Sequence, residues 1–261
     1  MSEIRELEFE VKEFAKLKKP PKQLWYRGNL ELLNRPKVSI VGSRRPIQYT
    51  QNLVKELAGK LAKRGVVIVS GGAMGVDALA HIGAGAKNTI AVMANGLDIH
   101  YPAVNSQIIA SIEEEGLTLS QFKVGQRAFK WSFVIRNELV VALGEKLIIA
   151  QADIDSGSMR SAEYAIKQGK EIFVLPHRIG DSEGTNQLLK EGLAKPILSI
   201  DDFAQIYGKE VDDETPKDEF FYFCQTRPTF EEAVAEFGER VYEAELEGLI
   251  EVVNGFVELR V

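Results

Sequence analysis

Short apolar runs recur along the chain, separated by amphipathic stretches of helical period. The runs are VSIV (38–41), VVIVS (66–70), TIAVMA (89–94), LTLS (117–120), KLIIA (146–150) and EIFVLP (171–176). Most are rich in β-branched side chains and are the length of strands, whereas the stretches after the first three predict helices ending near Arg64, Ala86 and Glu115. A further helix is expected from about Met159 to Gln168. Strands alternating with helices predict an α/β fold, a mostly parallel sheet with helices on both faces, over residues 37–208. Upstream, Ile4, Leu7, Val11 and Phe14 keep helical spacing and stop before Pro20 and Pro21, so residues 1–36 predict a short N-terminal helical segment. Downstream, KEVDDETPKDE (209–219) is acidic and broken by proline, and residues 209–218 are expected to be a linker. TFEEAVAEFG and ERVYEAELEGLIEVV are helical in pattern, and NG at 254–255 signals a hairpin, so residues 219–261 predict a small winged-helix-like domain.

In such sheets ligands bind beyond the carboxyl ends of the strands. The loops predicted there are GSRRP (42–46), GGAMGVD (71–77), NGLDIHYP (95–102), QFKVGQRAFKWSFVIRN (121–137), ADIDSGSMRS (152–161) and HRIGDSEGTN (177–186). A strand running into glycine and then a helix presents backbone N–H groups to phosphate, although neither GSRRP nor GGAMGVD matches a Walker loop or GxGxxG. Arg44 and Arg45 follow a core strand, and arginine's planar fork suits phosphate as well as it suits a carboxylate. The 121–137 stretch interleaves Arg127, Lys130 and Arg136 with Phe129, Trp131 and Phe133, the mixture that single-stranded nucleic acid binding uses. Of these aromatics, Phe129 and Trp131 are expected to fold back on the core, leaving Lys130 and Phe133 as ligands. Ser156, Gly157 and Ser158 precede a helix and offer hydroxyl and backbone donors to an anion.

Charge sharpens this picture. The net charge is −6, yet residues from 211 onward carry four basic against fourteen acidic side chains, while residues 1–210 carry 28 against 24. An acidic tail follows a mildly basic body, so the tail's helices would repel phosphate and are expected to bind protein or to regulate. One cysteine, Cys224, and three dispersed histidines give no metal-site or disulfide spacing. Cys224 is expected to be a small buried hydrophobe, His81 a packing residue, and Asp98, Tyr101 and Pro102 loop scaffolding. No membrane span or signal-peptide core is visible, which points to the cytoplasm and no membrane insertion.

Read in order, IVGSRRP, IVSGGAMGVDALAH, TIAVMANGLDIHYPAVN, FVIRNELVVAL, DSGSMRSAEYA and VLPHRIGDSEGTNQLL closely resemble the DNA-processing protein A (DprA/Smf) family over about 37–192. The resemblance implies an extended Rossmann-like fold, binding of single-stranded DNA, dimerisation, and loading of the RecA recombinase on incoming DNA during natural transformation. No catalysis, cofactor or metal is implied. By matching position it nominates Arg45, with Arg44 beside it, and Lys130 as phosphate ligands and Phe133 as a base-stacking ring. Ser43, Gly71 and Gly72 would approach DNA closely, Asn137 would orient the loop, and Ser156, Gly157 and Ser158 would border the site; Arg136, from the basic and aromatic stretch, is a further expected DNA contact. SGGAMG stands where many members have SGLARG, removing an arginine from the glycine loop.

Two other readings compete. SGSMRSAE (156–163) places Glu163 after a small-residue turn, as in LOG-type nucleotide phosphoribohydrolases, but lacks the proline and most of the glycines of their loop. An inert structural adaptor would instead turn Arg45 and Lys130 into internal salt bridges.

Overall fold

The computed structural model describes residues 3–210 and 218–259. Its main sheet has nine strands in the order β1-β2-β6-β5-β4-β3-β7-β8-β9. In chain order the elements are β1 (Arg5–Glu6), β2 (Trp25–Gly28), β3 (Lys37–Val41), α1 (Gln48–Ala62), β4 (Val67–Ser70), α2 (Val76–Ala84), β5 (Thr89–Val92) and α3 (Ser106–Glu115). There follow β6 (Leu117–Ser120), α4 (Lys130–Leu143), β7 (Lys146–Ile149), α5 (Gly157–Lys167), β8 (Ile172–Val174), α6 (Glu183–Lys190), β9 (Lys195–Pro196) and α7 (Ile200–Gln205).

From β6 across to β9 every pairing is parallel, with Val38 opposite Ile68 on one side of β3 and Ile40 opposite Ile148 on the other. Strands β3 to β6 are buried along their whole length, as both-face coverage requires. Alternate residues feed two cores. Val67, Val69, Leu147 and Ile149 pack with Leu139, Leu143 and Ala162 of α4 and α5, while Val38, Ile40, Ile68 and Ile148 pack with Val54, Leu57 and Ala80 of α1 and α2. The chain runs outward from β3 to β6 and then returns to place β7 on β3's other side. That reversal opens a crevice between the ends of β3 and β7, where the GSRRP and ADIDSGSMRS loops begin.

The N-terminal segment is not helical. Arg5–Glu6 and Trp25–Gly28 form strands, with β2 antiparallel to β6, and Lys12–Phe14 makes only a 3-10 turn. Val11, Phe14, Leu17 and Leu24 are buried in the main core, so the apolar spacing serves a packed irregular segment rather than a helix face. Pairing with β2 also gives the backbone of β6 the partner that a bare sheet edge lacks.

Three helices, α8 (Glu219–Gln225), α9 (Phe230–Phe237) and α10 (Glu239–Leu246), precede a hairpin of β10 (Ile250–Val253) and β11 (Phe256–Leu259). Asn254 and Gly255 both have positive φ, 52° and 82°, as a two-residue hairpin turn demands. Phe220, Cys224, Ala233, Val241, Ile250 and Val257 form the core of this unit. Burial pushes the Cys224 thiol up to about 12, which keeps it an unreactive hydrophobe. Of the expected linker, residues 211–217 lie outside the described residues.

The C-terminal unit rests on the amino ends of the strands, opposite the ligand loops. Arg35 lies 5.6 Å over the Tyr222 ring, Lys12 Nζ meets Glu219 at 3.1 Å, and a Cβ on Gly65 would fall 2.2 Å from that ring. Tyr222→Ala is therefore expected to lower stability by about 3 kcal/mol in urea unfolding while leaving ligand binding at the far end unchanged.

Candidate nucleic-acid interface

The turn after β3 is held from two sides. Ser43 N–H donates to the Gln151 carbonyl at 2.8 Å, and the Ser43 carbonyl accepts from Val76 N–H at 3.1 Å. Gln151 Oε1 in turn accepts from Ile47 N–H and the Thr50 hydroxyl, each at 3.0 Å. Gly75, with φ +78°, lets the two loops touch, since a Cβ there would sit 2.4 Å from the Ser43 carbonyl oxygen. The turn presents Arg44 and Arg45 to solvent, and neither forms an ion pair with a described residue.

Residues 130–137, expected in a loop, begin α4 instead. Phe129 is extended, and its N–H donates to Ser132 Oγ at 2.9 Å, half of a capping box at the helix start. Lys130 and Phe133 are thus separated by three residues on one helical face and are neighbours. Lys130 is exposed and unpaired among the described residues. Phe133 faces the sheet's loops, with Arg44 5.4 Å over its ring and the Tyr101 ring centroid 5.9 Å away.

Arg44, Tyr101 and Phe133 are among the residues that line a small pocket open to solvent. Arg44 comes from the first turn, Gly71, Ala73 and Met74 from the glycine loop, Ala94, Asn95, Tyr101 and Pro102 from the segment after β5, and Phe133 from α4. Of the adjacent arginines, Arg44 lines the pocket, while Arg45 is exposed beside it with its N–H on Ser43 Oγ at 3.1 Å. Tyr101 and Pro102 are pocket wall, not scaffolding; their only sequence signal was their place after a central strand. Asp98 keeps a scaffold contact, its carboxylate accepting from Gly125 N–H at 2.8 Å.

One expected DNA contact, Arg136, belongs behind the pocket instead, and Gly71 lines the wall with its N–H already engaged. Arg136 is 4% exposed, and its guanidinium donates to the carbonyls of Gly71 and of Val92, the latter at 2.7 Å. Asp77, also buried, accepts from Gly71 N–H at 3.1 Å and Ala73 N–H at 3.4 Å. The Gly71 peptide is therefore gripped at both ends, and its N–H is not available to a phosphate. Burial raises the Asp77 pKa and lowers that of Arg136, and each charge opposes the shift of the other. Gly71 must lack a side chain because a Cβ would fall 2.1 Å from an Arg136 nitrogen, and Gly72 has φ +68°. The missing arginine of SGGAMG is thus replaced at the pocket by Met74.

Ser156, Gly157 and Ser158 stand at the start of α5 but do not line the pocket; Ser158 is buried, and Asn137 Nδ2 reaches the Gly157 carbonyl only at 3.5 Å. Phe129 and Trp131 do not fold back on the core either. They are 53% and 50% exposed and lie parallel to each other.

His81 is enclosed behind the glycine loop as a packing residue. Thr89 gives its hydroxyl proton to the Ile68 carbonyl at 2.7 Å, so His81 Nδ1–H must donate to Thr89 Oγ1 at 2.5 Å, leaving a neutral ring. Burial, with the Arg136 charge second, lowers its pKa to about 3. The unfolded chain takes up that proton near pH 6.5, so stability is full above that pH and falls as pH drops toward 3. Between pH 7 and 5 the loss from this group is about 2 kcal/mol, and the urea midpoint of a His81→Gln variant is expected to fall less over the same interval.

The sequence matches the family described as DNA recombination-mediator protein A over residues 7–208. It is 38% identical over 187 residues to the DNA processing protein DprA of Streptococcus pneumoniae, covering 70% of this chain and 65% of that protein. The Bacillus subtilis DprA is 34% identical over 188 residues, at 70% and 63% coverage, so the chain spans less than two-thirds of the length of both relatives. Among solved structures, Helicobacter pylori DNA processing protein A, described for its single-stranded DNA binding mode, superposes with TM-score 0.76 at 44% identity, covering 78% of this chain and 97% of that one. The S. pneumoniae DprA structure gives TM-score 0.72 at 32% identity, covering 81% and 75%. Fold, ordered motifs and these similarities agree: the chain belongs to the DNA recombination-mediator protein A family.

Proposed function

We propose that this chain binds single-stranded DNA, without catalysis, in the pocket between Arg44, Tyr101 and Phe133. The observation that carries this reading is the Phe133 ring standing at an open pocket between Arg44, which has no ion pair among the described residues, and a second aromatic ring, with exposed Lys130 next along the helix face. An aromatic face stacks a base only when the base is unpaired, and the two cations offer phosphate contacts on either side of the ring. A relative studied for its single-stranded DNA binding mode supports the same ligand. In this reading the chain works in the cytoplasm as a homodimer that protects incoming DNA and passes it to RecA during natural transformation. Two pockets on a dimer raise avidity when one strand spans both. The acidic C-terminal unit, docked at the far end of the sheet, serves protein contacts or regulation.

Fluorescence anisotropy with a labelled oligonucleotide, single-stranded and as a duplex, tests the stacking. Wild type is expected to prefer the single strand, and Phe133→Ala to lose about tenfold in single-strand affinity, as one lost stack does, with Phe133→Tyr close to wild type. Equal affinity of wild type for duplex and single strand would contradict the reading. Against a phosphoribohydrolase stands the place of Glu163, exposed on α5, 3.6 Å from Arg160 and outside the pocket lining. Free base released from a nucleoside monophosphate by wild type, and not by Glu163→Ala, would restore that alternative.

A further inference from the structure

Phe129 and Trp131 are left out of the pocket, yet they form an organised surface. Their rings are parallel to within 4° at a centroid separation of 6.2 Å, and buried Phe122 supports Trp131 edge-on at 5.7 Å. Half-exposed aromatic rings held in a fixed plane are a surface with an absent partner. Val134 and Ile135, on the same outward side of α4, are also exposed.

We propose that this ring pair is a second nucleobase platform, onto which the strand held at Phe133 continues; the inference rests on the single-stranded DNA reading above. Charge and continuity select the occupant. Lys123, Arg127 and Lys130 punctuate the segment, all three are exposed, and none forms an ion pair with a described residue. Asp98, whose carboxylate accepts from the Gly125 N–H, sets one negative charge against these three positive ones. Phosphate complements such a surface.

Helix geometry supplies the path. Successive residues of α4 turn by about 100°, so Lys130 projects between Phe133, about 60° to one side, and Trp131, about 100° to the other. A phosphate on Lys130 would therefore have one flanking base directed to the pocket and the other to the platform. The pocket ring and the platform are two stacking stations on opposite sides of one cation, and a strand must be long enough to cross the helix end to use both.

Tryptophan fluorescence reads the second station directly, because the chain has only two tryptophans and Trp25 lies on β2 near the sheet edge. Wild type and Trp131→Ala would be titrated with thymidine homopolymers from about 4 to about 16 nucleotides, the span of single-strand sites, with anisotropy followed in parallel. Expected are quenching of wild type by the longer strands, loss of that quenching in Trp131→Ala, and about tenfold weaker binding of long strands with the shortest unchanged. Trp131→Phe should keep most of the affinity. Saturation by anisotropy without quenching, or equal affinities of wild type and Trp131→Ala at every length, would overturn the platform while leaving the Phe133 pocket standing. A spectral shift produced by raising protein concentration without DNA, and none with DNA, would assign the face to a second copy of the chain and overturn it too. Failure of wild type to bind any strand would remove both readings.

Discussion

Arg136→Ala is expected to destabilise the chain by about 3–5 kcal/mol, the largest stability loss foreseen for a single residue near the site. The guanidinium satisfies the carbonyls of Gly71 and Val92 and balances the buried Asp77 carboxylate. Truncation leaves two carbonyls without their donor and a carboxylate without its counter-charge, in a region from which water is largely excluded. Arg136→Lys should recover only part of the loss, because one Nη1 nitrogen serves both carbonyls while Nε donates to Asn137 Oδ1 at 3.1 Å, and a single ammonium cannot stand at both places. Urea unfolding at pH 7 measures both. A loss below about 1 kcal/mol for Arg136→Ala would show that the glycine loop holds its shape without this clamp.

The Arg44→Ala/Lys130→Ala double variant is expected to bind single-stranded DNA about a hundredfold or more weakly than wild type. Each exposed cation is free of ion pairs among the described residues, so its removal costs a charge-assisted contact of about 1.5–3 kcal/mol without leaving a buried charge behind. The fold should be unaffected for the same reason. Losing two phosphate contacts should also flatten the dependence of log affinity on log salt by about 1.4, at roughly 0.7 per single-strand phosphate. Arg45→Ala, outside the pocket lining, should lose less than Arg44→Ala. Anisotropy titrations at two salt concentrations measure all of these, and an unchanged slope in the double variant would place the phosphates elsewhere.

The central strands were legible because a parallel sheet covered on both faces writes itself as uninterrupted runs such as VVIVS, and every such run became a strand. The loops that follow these runs stand at the carboxyl ends of the strands, where the candidate pocket lies. The N-terminal strands were hidden because β1 has only two residues and its apolar neighbours fall at helical spacing. The start of α4 was masked by aromatic residues and by Ser132, whose capping role depends on Phe129 being extended. Which of Arg44 and Arg45 enters the pocket is set by the backbone of one tight turn, and residue type says nothing about it. The Asp77 and Arg136 clamp joins positions far apart in the chain, so Arg136 read as one more cation of a basic stretch. Tyr101 carried no signal beyond its position, and whether Trp131 is covered depends on tertiary packing that its neighbours in the chain do not encode.

The most direct test of the account is to photocrosslink a single strand containing 5-bromouracil to the wild-type chain and map the attached residue by mass spectrometry. Crosslinks are expected on Phe133 and Tyr101, abolished when unlabelled single strand competes and retained when matched duplex does. Crosslinks confined to the C-terminal unit, or displaced equally by duplex, would contradict it.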